Sequence, residues 1–272
     1  MKRLSALALL ALLAAPAAAG KPARIASMNQ CADELVIRLA DAERIRTVTR
    51  FSHAERGSTI AAMARAFPAN YGLAEEIAGV SPDLVLAGRH TTRHTVALLK
   101  QLGFPLHELD APTSMAGVTA QIRQVGALLE ESARAEALAA DIERRLRQVA
   151  RPATPDSPTA IIYRPNGFTV GRESLATDVL RHAGLRNLAA EMGWESYGQI
   201  PIEVIISHPP DFIIFDGEPR QMPTAAHEVL HHPALRRLTQ TRLIFLPAKY
   251  WTCAGPDLIR AIEILTAAVG PT

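Results

Sequence analysis

One pattern occurs twice in this chain. Glu75, Pro82 and Asp83 return as Glu203, Pro210 and Asp211, and the offsets 203−75, 210−82 and 211−83 all equal 128. In both copies a short helical stretch ends at the Pro-Asp turn. An unbroken apolar run follows, Leu84-Val85-Leu86-Ala87 in the first copy and Phe212-Ile213-Ile214-Phe215 in the second. Apolar runs of strand length belong to strands covered on both faces, as in parallel sheets. The duplication therefore predicts two α/β lobes, each too small to enclose a large site, with a ligand held between them.

Residues 1–19 read as a secretory leader. Lys2 and Arg3 supply a basic start, 4–15 an apolar stretch, and Ala17-Ala18-Ala19 a small-residue cleavage pattern, so cleavage is expected before Gly20. A membrane anchor needs ~20 apolar residues, and this run is shorter and is followed at once by Pro16. No cysteine lies near the cleavage point to carry a lipid, which favours a soluble exported protein. Of 29 Lys+Arg, two fall in the leader, leaving 29−2 = 27 against 27 Asp+Glu. A mature chain near neutrality has no electrostatic reason to bind nucleic acid or an anionic membrane. At 48% hydrophobic it can bury one large core or two moderate ones, and the repeat argues for two.

Cys31 and Cys253 are the two cysteines. An even count in an exported chain makes a disulfide the default expectation. Cys31 follows a strand expected at 24–27 and precedes a helix from 33; Cys253 follows a strand at 243–246 and precedes a helix from 257. Both occupy strand-to-helix loops, one per lobe, at the strand ends where open α/β sheets bind ligands. A bridge there would tie the lobes together beside the cleft. Two buried inert thiols, or thiolates touching a ligand or metal, are the alternatives.

Further strands are expected at 46–48, 84–87 and 105–109, and helices at 73–78, 92–102 and from 114. Strands separated by helices imply parallel sheets with crossovers. Residues 115–150 lack proline and are rich in good helix formers, which predicts helix almost throughout with a break near Glu131-Ser132. In the second part Leu138, Ile142, Leu146 and Val149 form one apolar stripe on a stiff spacer of ~17 residues and ~25 Å. The prolines of 151–158 end it. The second lobe repeats the order of the first: strand 159–163, helices 175–183 and 202–207, strand 212–215, helix 225–238, strand 243–246 and helix 257–268. The expected organisation is a leader (1–19), an N-terminal lobe (20–130), an interlobe helix (131–151) and a C-terminal lobe (152–272).

Arg24-Ile25-Ala26-Ser27, the stretch from Ser81-Pro82-Asp83 to Ala87, the interlobe helix, Gly171-Arg172-Glu173-Ser174 and Ala254-Gly255-Pro256 together carry a family resemblance. The chain looks like the periplasmic substrate-binding proteins of bacterial ABC importers for cobalamin and ferric siderophores. The resemblance implies two Rossmann-like lobes with parallel sheets, joined by one long helix. It implies a monomeric periplasmic receptor without catalysis and without a metal or cofactor of its own. A metal chelate would be captured in the interlobe cleft and handed to the permease dimer of an importer in the inner membrane. In the family one acidic residue at the tip of each lobe pairs with permease arginines, which falls on Glu75 and Glu203 here, with Glu76 as the adjacent competitor. Two exposed charges at fixed separation would steer docking; the simpler role is to favour the positive end of a helix.

Aromatic residues make up only 5% of the chain. Yet Phe51, Tyr71, Tyr163, Phe168, Trp194, Tyr197, Tyr250 and Trp251 fall in or beside loops at strand ends, where flat faces suit a large ring system or a catecholate. Arg89, Arg164, His53, His90 and Asn166 share these loops, with Arg50 beside them, and guanidinium forks would suit a carboxylate-bearing or anionic chelate. These residues are the candidate ligand contacts. They do not separate a cobalamin from a siderophore carrier. Haem-binding members of the family often offer a tyrosine ligand, a role open here to Tyr71 or Tyr163.

One motif points to a different class. His227-Glu228-Val229-Leu230-His231 matches His-Glu-x-x-His, in which a helix presents two zinc ligands on one face with the glutamate as general base. Pro233 curtails that helix, so a zinc-dependent hydrolase stands only as the alternative reading. No Gly-x-Ser-x-Gly elbow, Gly-x-x-x-x-Gly-Lys loop or Cys-x-x-Cys pair is present.

Overall fold

The computed structural model describes residues 20–217 and 238–270. The leader at 1–19, and the segment 218–237 with His227, Glu228 and His231, lie outside the described residues. The N-terminal half runs β1 (Ile25–Ser27), α1 (Gln30–Leu39), β2 (Ile45–Thr49), α2 (Ala61–Ala64), β3 (Ala69–Asn70), α3 (Ala74–Gly79), β4 (Leu84–Gly88), α4 (Arg93–Gln101), β5 (Leu106–Leu109) and α5 (Met115–Leu128). Its strands form one parallel sheet in the order β3-β2-β1-β4-β5. Helix α6 (Ser132–Val149) follows. The C-terminal half then runs β6 (Thr159–Tyr163), β7 (Phe168–Val170), α7 (Leu175–His182), β8 (Arg186–Asn187), α8 (Leu188–Glu191), β9 (Tyr197–Gln199), α9 (Ile202–Ser207), β10 (Phe212–Asp216), β11 (Arg242–Leu246) and α10 (Leu258–Val269). Its main sheet is parallel and ordered β11-β10-β6-β8. The orders β2-β1-β4-β5 and β8-β6-β10-β11 correspond strand for strand, so the sequence repeat is a structural one.

The repeated aspartate does the same work in both halves. Asp83 accepts hydrogen bonds from the backbone N–H of Ala23 (3.0 Å) and Arg24 (2.8 Å), just before β1. Asp211 accepts from Thr159 N (2.7 Å) and Thr159 Oγ1 (2.8 Å), at the start of β6. Each carboxylate satisfies donors at a strand start and pins that start to the turn opening the neighbouring strand.

Period-two alternation assigns the strand faces. Leu84 and Leu86 of β4, and Phe212 and Ile214 at the equivalent positions of β10, face the interior. Val85 and Ala87 face a satellite cluster outside the first sheet, and Ile213 and Phe215 one outside the second. The expectation of two moderate cores is corrected here. A single continuous core joins both halves, running from Leu35, Val36 and Ile122 to Leu180, Ile259 and Ile262. The reason is that α1, α5, α7 and α10 all turn apolar faces to the space between the sheets.

Helix α6 lies in chain order between the strands of the two sheets, and its buried seam is alanine-based: Ala135, Ala139 and Ile142 are buried, with Leu138, Leu146 and Val149 partly buried beside them. Small residues allow α5 and α6 to approach closely, and a Cβ at Gly126 would lie 2.1 Å from that of Ala135. Arg123 of α5 bridges Glu136 (2.7 Å) and Glu143 (3.1 Å) of α6. Also unlike the purely parallel expectation, β7 and β9 pair antiparallel, Phe168 opposite Gln199. Two strands of three residues around Gly198 are too short to show alternation. No helix among the described residues is long and apolar enough to cross a membrane.

Candidate functional site

In each half the strand order reverses between two neighbouring strands, β1 and β4 in the first, β6 and β10 in the second. Loops leaving the carboxyl ends of such strands diverge and open a crevice. The two crevices meet in one cleft of about 380 Å³. Asn29, Gly88, Arg89, His90 and Asp110 line it from the first half, and Arg164, Ser174, Tyr197, Asp216 and Trp251 from the second.

Local hydrogen bonds fix these loops. Asn29 caps α1 by accepting from the N–H of Cys31 (2.9 Å) and Ala32 (3.2 Å). Gln121 Nε2 donates to the Asp110 carbonyl (2.6 Å). Gly171 N–H donates to Ser196 O (2.7 Å) and Arg172 N–H to Trp194 O (2.9 Å), which lays the loop bearing Tyr197 along the start of α7. On the second-half wall, Asp216 receives the Trp251 indole N–H on one oxygen, and Arg164 Nε lies 2.8 Å from the other. The Arg164 guanidinium also stands 5.7 Å from the Trp251 ring centroid. On the facing wall Arg89 pairs with Asp110.

The halves are locked together beside the cleft. Cys31 and Cys253 form a disulfide with a Cα–Cα distance of 5.0 Å, and Cys31 lines the cleft. Next to it Arg38 reaches Asp257 (2.8 Å), and Thr59 donates to the same carboxylate (2.5 Å). Buried Glu34 lies 3.3 Å from Arg38 Nε. Burial pushes the Glu34 carboxyl up to about 7, against the pull of Arg38 and with the help of Asp257. Behind the cleft loops, burial likewise raises Asp33 to about 6, opposed by nearby Ser27 and by the hydrogen bonds it accepts from Ser52 and Thr49. Asp178 of α7 accepts from Met115 N–H at the start of α5 (2.7 Å). Burial works against its charged form, but His182, that amide and Arg181 outweigh it and hold Asp178 well below the usual carboxylate range.

The structure distributes the sequence candidates over several places. Arg89, His90, Arg164, Tyr197 and Trp251 line the cleft together; Tyr197 is 70% exposed and Trp251 only 7%. Phe51 and Tyr71, 54% and 68% exposed, line a side pocket of about 270 Å³ on the first half, which shares Asn29 with the cleft. Arg50 lies over both rings, 4.3 Å and 5.5 Å from their centroids. Tyr163 and Asn166 line a pocket of about 280 Å³ on the second half. Tyr163 is 6% exposed and packs edge-on against Phe215, and burial with nearby Glu203 raises its phenol above the usual range. Phe168 is exposed on β7, and Trp194 packs against the outer cluster. Tyr250 packs on the central core, and His53 Nε2 is buried without a hydrogen-bond partner among the described residues. Gln121 and Glu173 escaped the sequence reading: one lies within α5, and the other sits in a motif read only for family likeness.

Glu75 and Glu203 occupy the first turns of the equivalent helices α3 and α9. Both are exposed and make no ion pair among the described residues. Neighbouring Glu76 is engaged, accepting from the N–H of Tyr71 (2.8 Å) and Leu73 (3.2 Å). Among the described residues no group of three or more His, Cys, Asp or Glu is placed to hold a metal.

Residues 25–249 match the family described as periplasmic binding protein. A cobalamin-binding protein of Halobacterium salinarum is 28% identical over 200 residues, 71% of this chain and 54% of its own length. The chain thus spans about half the length of the curated relatives it matches. A periplasmic heme binding protein from Pseudomonas aeruginosa superposes with a TM-score of 0.72 at 23% identity, covering 92% of this chain and 94% of that one. An ABC-type Fe3+-hydroxamate transport protein from Saccharomonospora viridis gives 0.70 at 21% identity, covering 93% and 94%. At these identities the structural likeness establishes a common fold.

Proposed function

The chain belongs to the periplasmic binding protein family, and from that premise we propose that it is the solute receptor of an ABC importer. It captures a metal chelate, a corrinoid or a ferric siderophore, between lobes at 20–130 and 152–272 joined by the helix of 131–151, and delivers it to an inner-membrane permease. Residues 1–19 export it to the periplasm. The observation that carries this reading is the cleft built jointly by the two strand-order switch points. The locked junction supports capture with small tilts rather than wide closure. A calorimetric or thermal-shift screen of the mature protein with cobalamin, haem and several ferric siderophores tests it. Ligand at 100 times its dissociation constant stabilises by about 2.7 kcal/mol, and no stabilisation by any of them refutes the reading.

Docking on the permease is assigned to Glu75 and Glu203, which are exposed and equivalent while Glu76 is consumed as a cap. Reversing both charges should abolish uptake in cells and leave chelate affinity unchanged; lost affinity would move these residues into the site. A haem cargo is the second reading. Exposure favours Tyr71 over Tyr163 as its ligand, since the Tyr163 ring lies within the outer cluster.

A further inference from the structure

The sequence puts Arg89 and Arg164 forward as forks for an anionic chelate. In the structure both are already occupied. Arg164 stands against Asp216, whose other oxygen is held by the Trp251 indole, so this carboxylate is fixed in place at the cleft wall. Arg89 is paired with Asp110 on the facing wall. Glu173 adds a third carboxylate to the lining. Among the described residues that line the cleft, two guanidinium groups thus face three carboxylates, with His90 as the remaining ionisable group besides Tyr197. Arg50 lies outside this lining, against the faces of Phe51 and Tyr71.

We propose that the cleft selects a chelate whose enclosed part carries no net negative charge, with Asp216 and Asp110 as the residues that set the preference. This rests on the receptor reading above. An anion entering the cleft meets each arginine together with its carboxylate, so attraction and repulsion nearly cancel while the anion still loses its water. An uncharged chelate loses less, and the Trp251 and Tyr197 faces and the polar loop ends remain to hold it.

Calorimetry on the mature, disulfide-bonded protein compares two uncharged-core probes, cobalamin and a neutral ferric trihydroxamate, with a trianionic ferric tris-catecholate and with haem. At least one of the first pair should bind, at least about tenfold more tightly than either anionic probe. Equal or tighter binding of an anionic probe overturns the selectivity and leaves the receptor reading standing. Binding of no probe overturns the receptor reading and this inference with it. Asp216→Asn keeps an oxygen for the Trp251 N–H but removes the charge, and should raise affinity for the tris-catecholate about tenfold, with a gain that fades as salt is added. Asp110→Asn, on the exposed pair, should act in the same direction and serves if the substitution at half-buried Asp216 disturbs folding. Unchanged tris-catecholate affinity in a folded variant of both sites refutes the assignment.

Discussion

Replacing Glu34 with glutamine should stabilise the protein in mild alkali and leave it unchanged in acid. Glu34 is buried on α1 against the backbone of Gly255, where an added Cβ would lie 2.6 Å from its Oε1. Burial raises its carboxyl from 4.5 to about 7; Arg38 opposes the rise and Asp257 across the junction adds to it. Below pH 4.5 the group is protonated in the folded and the unfolded chain alike. Between there and about 7 the folded protein keeps a proton that the unfolded chain releases, so stability falls as pH rises. At ~1.4 kcal/mol per pH unit over that window, the full loss is about 3 kcal/mol. Glu34→Gln keeps a donor facing Asp257 and cannot ionise. At about pH 8 it should melt about 6–12 °C above the parent, the two curves converging below about pH 5. Asp33 titrates identically in both proteins and cancels from the difference. Melting curves that run in parallel from about pH 4.5 to 8 would refute the account of this junction.

Three further outcomes follow from the packing. Cys31→Ser with Cys253→Ser opens a closed loop with a sequence separation of 222, and the chain-entropy argument puts the loss at about 5 kcal/mol in denaturant unfolding; a loss below about 1 kcal/mol would mean that the shared core and the Asp257 contacts hold the halves by themselves. Asp83→Ala and Asp211→Ala should each cost about 1–2 kcal/mol by freeing strand-start donors, and, lying in different sheets, should sum in the double variant; a cost at only one of them would break the equivalence of the repeats. Gly126→Ala must push α5 from α6 and should destabilise by about 1–3 kcal/mol, with Ala135→Gly in the same chain restoring much of the melting temperature.

The parts of this molecule legible in its sequence are those whose cause is local. Asp83 and Asp211 recur because each strand start needs an acceptor at the same offset from a proline turn, so the duplication can be read without coordinates. Strand faces obey the same logic, and period two places Tyr163 with Ile161 on the outer face of β6, which is why it packs in the outer cluster while Trp251 lines the cleft. The shared core was less legible. Apolar faces on α5 and α7 predict burial but not that the two helices meet each other across the halves of the chain. What stayed hidden depends on pairs far apart in sequence. Arg164 reads as a free guanidinium until Asp216 and Trp251 are brought to it, and Glu34 reads as an ordinary helix-surface carboxylate until Asp257 arrives from the other half. The charge that a loop displays is set by its partners. A list of cationic loop residues therefore points toward an anionic cargo, whereas their carboxylate partners are what the proposal of an uncharged cargo rests on.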